Sequence, residues 1–356
     1  MMVTIRYIAK RAEVSIGAGF GILNDDPTLS VQAETRERVL RIAAELDYKP
    51  PIRRDKTKQR LTLALIMAHS RQQEMTDPYF MSIREGVEWQ AEKSGFTIGC
   101  SFRGLGSLTL EECNRVAQDT DGIIVIGYVD AKEIHALFPK MDHVVFVDYQ
   151  PDFASYDAVV ADLVHATENA IDYLVSCGNR KIGFLGGPKR QVSLEGHTDC
   201  VESVEERANT FQQHMKALDL YDESQFHLLS DWGSDFGYQA MKDILQSDQE
   251  LPDAFLVASD MLAMGVLKAL GEQGLNVPEQ VRVLSFNDMQ GAAFLHPSLT
   301  SVHIYAREMG IQAVKLLYDR IHSSREYPVS LTLPTKLMIR ESTGGEVNTV
   351  YSRMHI

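Results

Sequence analysis

Along the first sixty residues, apolar side chains return at helical spacing. In "TIRYIAKRAEVS", Ile5, Ile8, Ala9 and Ala12 fall on one face behind Thr4, a hydroxyl suited to cap a helix start. Ser15 offers a second cap, with room for a short helix through Leu23 and Asn24. From Ser30 onward, Thr35, Val39, Ile42 and Leu46 recur at helical spacing and stop before Pro50. Three short helices with a tight turn between the first two predict an all-α helix-turn-helix head over residues 1–48.

After Arg60 the pattern changes. Short apolar runs, "LTLALIMA", "FTIGC", "GIIVIG", "HVVFVD", "DAVVADL", "KIGFLGG", a weak "FHLLS", "AFLVASD", "VRVLSFND", "LTSVHI" and a final "SLTLPTKLMIRES", alternate with helical patterns. That alternation predicts an α/β body with parallel sheets covered on both faces, and its length calls for two doubly wound lobes. The expected division is a linker at 49–60 and a body at 61–345. Its first lobe takes about 61–161 plus 290–321, and its second about 162–289 plus 322–345. A ligand of such a body sits at the carboxyl ends of strands, in the cleft between lobes.

Charge sharpens the division. The chain carries a net charge of −14, yet residues 1–60 hold 12 Lys and Arg against 8 Asp and Glu, and the remainder 23 against 41. A cationic head on an acidic body points to a small phosphate-facing module. The segment "YKPPIRRDKTKQR" continues the basic character, and Tyr48, Arg53 and Arg54 are its candidates for contact with DNA. Pro50 and Pro51 obstruct an early helix there, and a plain solvated linker is the competing reading.

Other chemistries lack their residues. Cys100, Cys113, Cys177 and Cys200 have no paired-ligand spacing, so reduced thiols are expected and no metal or cofactor. No G-x-S-x-G, H-E-x-x-H or Walker loop occurs, and Glu111 and Glu112 fall in a polar helix. The stretch "SIGAGFGILNDD" is glycine-spaced, but a dinucleotide loop needs a preceding strand, and Ile22 stands where its third glycine belongs. With no apolar run long enough for a bilayer and no export signal, the expected location is the cytoplasm.

These segments, in this order, resemble the LacI/GalR family of transcriptional regulators. The family's second-helix pattern, V-S-x-x-T-V-S-R-V-L-N, is matched at Val14, Ser15, Leu23 and Asn24, and conservatively at Ile22. Ala18, Gly19, Phe20 and Gly21 replace its Thr, Val, Ser and Arg, while Glu13 stands where a turn glycine is common and Tyr7 where an Asp is. In the body, "DPYF", "VFVD", "ERANTF", "LVASDMLAMGVLKAL", "VPEQVRVLSFND" and "HPSLTSVHI" carry the likeness from about Leu61 to Arg340.

The resemblance implies type I periplasmic-binding-protein-like lobes and a second helix that reads the major groove of operator DNA. Thr4, Ser15, Ile16, Gly17, Ala18 and Asn24 are the head's DNA-binding candidates. It also implies a small sugar effector, galactose or a galactoside, touching Asp148, Arg207, Trp232, Ser259 and Asn287, with Asp77, Tyr79 and Phe80 at the cleft mouth. Ser259 and Asn287 stand where Asn and Asp are more usual, which leaves the sugar open. Trp232 as a core aromatic, Arg207 as a surface charge and Asp148 as a strand-end cap are the structural alternatives. A homodimer is implied, to which the Met309 to Leu317 stretch contributes unless its apolar face is core.

Three glycines inside one short helix cost about 2–3 kcal/mol relative to alanine. The functional readings are therefore a sugar-responsive repressor, a regulator with impaired DNA recognition that keeps its sugar and dimer functions, and a sugar-binding receptor.

Overall fold

The computed structural model of the protein describes residues 5–23, 31–46, 60–103, 110–151, 156–189, 205–323, 325–345 and 349–351. The chain divides into two compact units, residues 1–60 and 61–356.

In the first unit, α1 (Ile5–Arg11), α2 (Ile16–Leu23) and α3 (Ala33–Glu45) enclose a core of Ile8, Ala12, Ile22, Val39, Ile42 and Ala43. The glycine-spaced stretch is thus helical, as DNA reading requires and a dinucleotide loop does not allow. Ser15 accepts a hydrogen bond from the Ala18 amide (3.1 Å) and caps α2, which offsets part of the glycine cost. In the turn before it, Glu13 takes φ 53°, the left-handed conformation that favours glycine. Arg38 Nε donates to the Ala12 carbonyl (3.2 Å) and ties α3 to that turn. Thr4, Asn24, Tyr48, Arg53 and Arg54 lie outside the described residues, as does Cys200.

The second unit begins with β1 (Leu61–Met67), α4 (Arg71–Thr76), α5 (Pro78–Lys93), β2 (Phe96–Arg103), α6 (Leu110–Asp119), β3 (Gly122–Ile126), α7 (Ala131–Leu137), β4 (Val144–Val147) and β5 (Asp157–Ala161). It continues through α8 (Leu163–Ser176), β6 (Ile182–Gly186), α9 (Glu206–Ala217), β7 (Phe226–Leu228), α10 (Ser234–Gln246), β8 (Ala254–Val257), α11 (Asp260–Glu272) and β9 (Arg282–Asn287). The last elements are β10 (Thr300–Ile304), α12 (Ala306–His322), β11 (Ser330–Leu333), β12 (Thr335–Ile339) and β13 (Thr349–Tyr351).

Two sheets result. One has the order β11-β5-β4-β3-β1-β2 with every pair parallel. The other runs β13-β12-β10-β9-β8-β6-β7 and is parallel except where β12 pairs with β10 and β13. The central strands β3, β4, β6 and β8 are buried along their whole length, which explains their uninterrupted apolar runs.

The expected lobe boundaries need correction. β10, expected in the first lobe, belongs to the seven-stranded sheet, and β11, expected in the second, joins the six-stranded sheet. "SLTLPTKLMI" is two strands in different sheets, divided at Pro334, which has no N–H to continue a ladder. Asp157, fully buried, accepts from Arg325 through both carboxylate oxygens (2.8 and 2.7 Å) and from the Val329 amide (2.7 Å), which holds the approach to β11 against β5.

Helices pack so closely that glycine is required at two crossings. A Cβ on Gly310 of α12 would stand 2.0 Å from the Ile83 carbonyl oxygen of α5, and one on Gly86 would stand 2.0 Å from that of Arg307. In the other lobe, Gly237 and Gly265 do the same for α10 and α11. Met309, Ile311, Ala313, Val314 and Leu317 are all buried, so the apolar face of the Met309 to Leu317 stretch is core and is not available for pairing subunits.

Candidate functional site

Candidate residues gather where strands end. Asp148 directly follows β4 with φ 66°, and Asn287 closes β9 with φ 103°. Both are non-glycine residues in a costly backbone conformation, a feature that concentrates at ligand sites.

From the six-stranded lobe, Asp77 caps α5 by accepting from the Tyr79 amide (3.0 Å), which aims the first turn of that helix. The Tyr79 hydroxyl donates to Asp148 Oδ1 (2.6 Å). Phe80 follows, edge-on to Tyr79 and stacked on the buried His69 ring at 4.3 Å. Burial pushes the Asp148 carboxyl up to about 6, although the Tyr79 hydrogen bond and the Arg207 charge both pull it down. Burial likewise raises Asp77, and burial together with Asp148 raises the Tyr79 hydroxyl well above its ordinary value.

The seven-stranded lobe contributes Arg207 from α9. Its Nη1 donates to the Ala258 carbonyl at the end of β8 (2.6 Å) and its Nε to Glu205 Oε1 (2.8 Å). Burial opposes its charge most strongly, but Glu205, Tyr79 and Asp148 together hold the guanidinium above its usual range. The guanidinium lies over the rings of Trp232 (5.1 Å) and Phe286 (5.5 Å). Trp232 donates from Nε1 to the Pro188 carbonyl (3.0 Å) and covers Gly187, where a Cβ would stand 2.5 Å from the indole.

Asp77, Tyr79 and Asp148 all sense the Arg207 charge, so the two lobes present their polar groups to one another. Asn287 is half-buried at the same strand ends. Ser259 is placed differently. Its hydroxyl is buried and accepts from the Leu262 amide (3.2 Å), capping α11. In the head, Ser15 and Gly17 are exposed and Ala18 is partly so, with Ile16 opening α2.

Two neighbours of these residues have no role that a sequence motif announces. Glu205 caps α9 from the position before its first residue, accepting from the Arg207 and Ala208 amides. Asp260, buried beside Ser259, accepts from the hydroxyls of Ser285 and Ser301 and from the Met289 amide, and burial pushes it up to about 6. Through Met289 it fixes the loop that follows Asn287. Among the described residues, no group of three His, Cys, Asp or Glu is placed to hold a metal ion, and no helix is long and apolar enough to cross a membrane.

The site therefore offers carboxylate acceptors, guanidinium donors and indole and phenyl faces, a set suited to a polyhydroxylated ligand. A family model described as a periplasmic binding protein-like domain matches residues 171–343. The HTH-type transcriptional repressor MelR of Bacillus subtilis (strain 168) is 36% identical over 348 residues, covering 96% of this chain and 98% of its own length. The HTH-type transcriptional regulator GalR of Lacticaseibacillus casei is 36% identical over 344 residues, 96% of this chain and 100% of its own. Among solved structures, a complex of the transcriptional regulator CelR with cellobiose superposes with a TM-score of 0.64 at 26% identity, over 96% of this chain and 100% of that one. The lac repressor dimer bound to operator shares the fold, with a TM-score of 0.65 at 22% identity over 96% and 99% of the two chains.

Proposed function

The chain belongs to the LacI/GalR family of helix-turn-helix transcriptional regulators, and from that premise we propose that it is a sugar-responsive repressor of a galactose or galactoside utilisation operon. It is a regulator and not an enzyme, as its relatives are. The observation that carries the proposal is the Tyr79–Asp148 pair of one lobe lying within reach of the charge of Arg207, whose guanidinium lies over Trp232 in the other. Asp148 and Asn287 accept and donate to hydroxyls, Arg207 donates in a fixed fork, and the indole packs on the apolar face of a pyranose. The cellobiose complex of a relative supports a neutral sugar as the ligand class.

Sugar and operator act on one equilibrium. Sugar favours one lobe arrangement and DNA the other, so each lowers affinity for its rival. Two heads are needed for a two-part operator, so the protein works as a homodimer, in the cytoplasm where its DNA is. Calorimetry with galactose, lactose, allolactose and glucose, paired with gel-shift titration of the chain's own upstream DNA, tests this. Binding of at least one sugar, together with a sugar-dependent shift in DNA affinity, is the expected result. No binding of any of the four, with a folded protein, refutes it.

A second reading rests on α2, which keeps its helical form and its core residue Ile22 while Ala18, Gly19, Phe20 and Gly21 bring no guanidinium or hydroxyl to DNA. In that reading sugar binding and dimerisation persist and operator recognition is impaired. Restoring Thr, Val, Ser and Arg at positions 18 to 21 then raises operator affinity at fixed salt, and an unchanged affinity excludes it.

A further inference from the structure

Family membership leaves the charge of the effector open, and the surroundings of Arg207 bear on it. A phosphorylated sugar needs a cation or a row of free amides for its phosphate, and among the described residues the start of α9 beside Arg207 brings a cation and helix-start amides together. Glu205 occupies them already. Its Oε2 accepts from the amides of Arg207 (3.0 Å) and Ala208 (3.4 Å), and its Oε1 accepts from Arg207 Nε (2.8 Å). Arg207 Nη1 is taken by the Ala258 carbonyl (2.6 Å). The Glu205 side chain is only 10% exposed, so water screens this pairing little.

The balance of nearby charge points the same way. Among the described residues, Asp148 senses the charges of Glu205, Glu206 and Arg207, and Asp77 senses Arg207, so carboxyl groups outnumber the one guanidinium they share. Lys189, a further cation of this lobe, stands over the ring of Tyr128 from the other lobe at 4.9 Å.

We propose that Glu205 is a built-in anion that fills the phosphate position of the cleft, so that the effector is an uncharged sugar and phosphorylated sugars are excluded. This deepens the sugar-cleft reading above and rests on it. Glu205 decides which ligands enter by holding the donors a phosphate would use, and what remains of Arg207 faces hydroxyls.

The test is calorimetry of the full-length protein with galactose and glucose, each beside its 1-phosphate and 6-phosphate, and with lactose. Wild-type protein is expected to bind a neutral sugar at least about 30-fold more tightly than its phosphates, the order of a charged hydrogen-bonding partner gained or lost. Glu205→Ser keeps a capping hydroxyl and frees Arg207, so the gap narrows about tenfold or more. Glu205→Gln, with a thermal melt to verify folding, is the second variant and narrows it likewise. A phosphate binding wild-type protein within about threefold of its neutral parent overturns the inference, as does an unchanged gap in both folded variants. If wild-type protein binds neither neutral nor phosphorylated sugars, the sugar-cleft reading itself has failed, and this inference falls with it.

Discussion

Effector affinity should fall as pH drops through about 6, because Asp148 is held near that value by burial. Sugar hydroxyls donate to a carboxylate, so the ionised form is the one that binds. At pH 7.5 the group is almost wholly ionised, and at pH 5 only about one in eleven molecules is, which weakens binding about tenfold, or about 1.4 kcal/mol. Tyr79 and Arg207 favour the ionised form and Glu205 and Glu206 oppose it, so these are the groups whose replacement moves the midpoint. Asp148→Asn removes the titration and flattens the profile. The same substitution has a stability signature of known sign. A folded-state value above the ordinary 3.8 means that Asp148 contributes most to stability when protonated, below that ordinary value, and loses the contribution as pH rises through about 6. That interval is worth about 3 kcal/mol, so the Asn variant should melt higher than wild type at pH 7.5, with the advantage shrinking toward pH 4. Calorimetric titrations and melts across pH 5 to 7.5 read both effects. Equal affinity slopes in wild type and Asp148→Asn refute the assignment.

Other perturbations follow from the packing. Gly310→Ala drives a Cβ to 2.0 Å from the Ile83 carbonyl oxygen, so α5 and α12 must part at a cost of about 2–4 kcal/mol. Gly271→Ala, which meets open space in α11, leaves the melting temperature unchanged or higher. Asp157→Ala leaves the Val329 amide without its acceptor and the Arg325 guanidinium with only Asp319 and the Tyr327 carbonyl, and costs about 1–3 kcal/mol, seen as a lower urea midpoint and as early proteolysis before β11. Glu13→Gly relieves a left-handed non-glycine residue and stabilises the head by about 0.5–1 kcal/mol, measured as slower amide exchange in α1 and α2 of the full-length chain. An exchange rate unchanged by that substitution would mean that the turn carries no strain.

How much of this was legible beforehand depended on whether the signal was local. Strands such as β3 and β8 announce themselves, since burial on both faces demands an unbroken apolar run. The glycine-spaced α2 was readable as a helix from its flanks, with a cap at Ser15 and a core residue at Ile22. Sheet membership was not local. β10 and β11 have the same apolar character as their neighbours, and only three-dimensional pairing decides that one joins β9 and the other β5. The site shows the same division. Asp148, Arg207 and Trp232 stood out through resemblance, whereas Glu205 is a polar residue at a helix start whose importance comes from the guanidinium that folds back onto it. Ser259 went the other way, because an N-cap and a ligand contact require the same hydroxyl at the same strand end, and α11 uses it.

The packing also predicts how a sugar would be felt beyond its contacts. Within each lobe, paired helices meet backbone to backbone, α5 with α12 through Gly86 and Gly310 and α10 with α11 through Gly237 and Gly265, with no side chain between them to rearrange. Between the sheets the chain crosses at Asp162, Tyr305 and Pro334, single residues on which a few dihedral angles can change without unpairing a strand. Strain applied at Tyr79, on the first turn of α5, therefore moves α5 and α12 together, and a ligand bridging Asp148 and Arg207 turns one rigid lobe against the other. Hydrogen exchange with and without sugar distinguishes this from a diffuse response. Changes should concentrate at the three crossings and the strand ends of the cleft, while protection in the two helix pairs stays constant. Protection changes spread through α12 and α11 would show that the lobes deform internally and that the crossings are not the hinge.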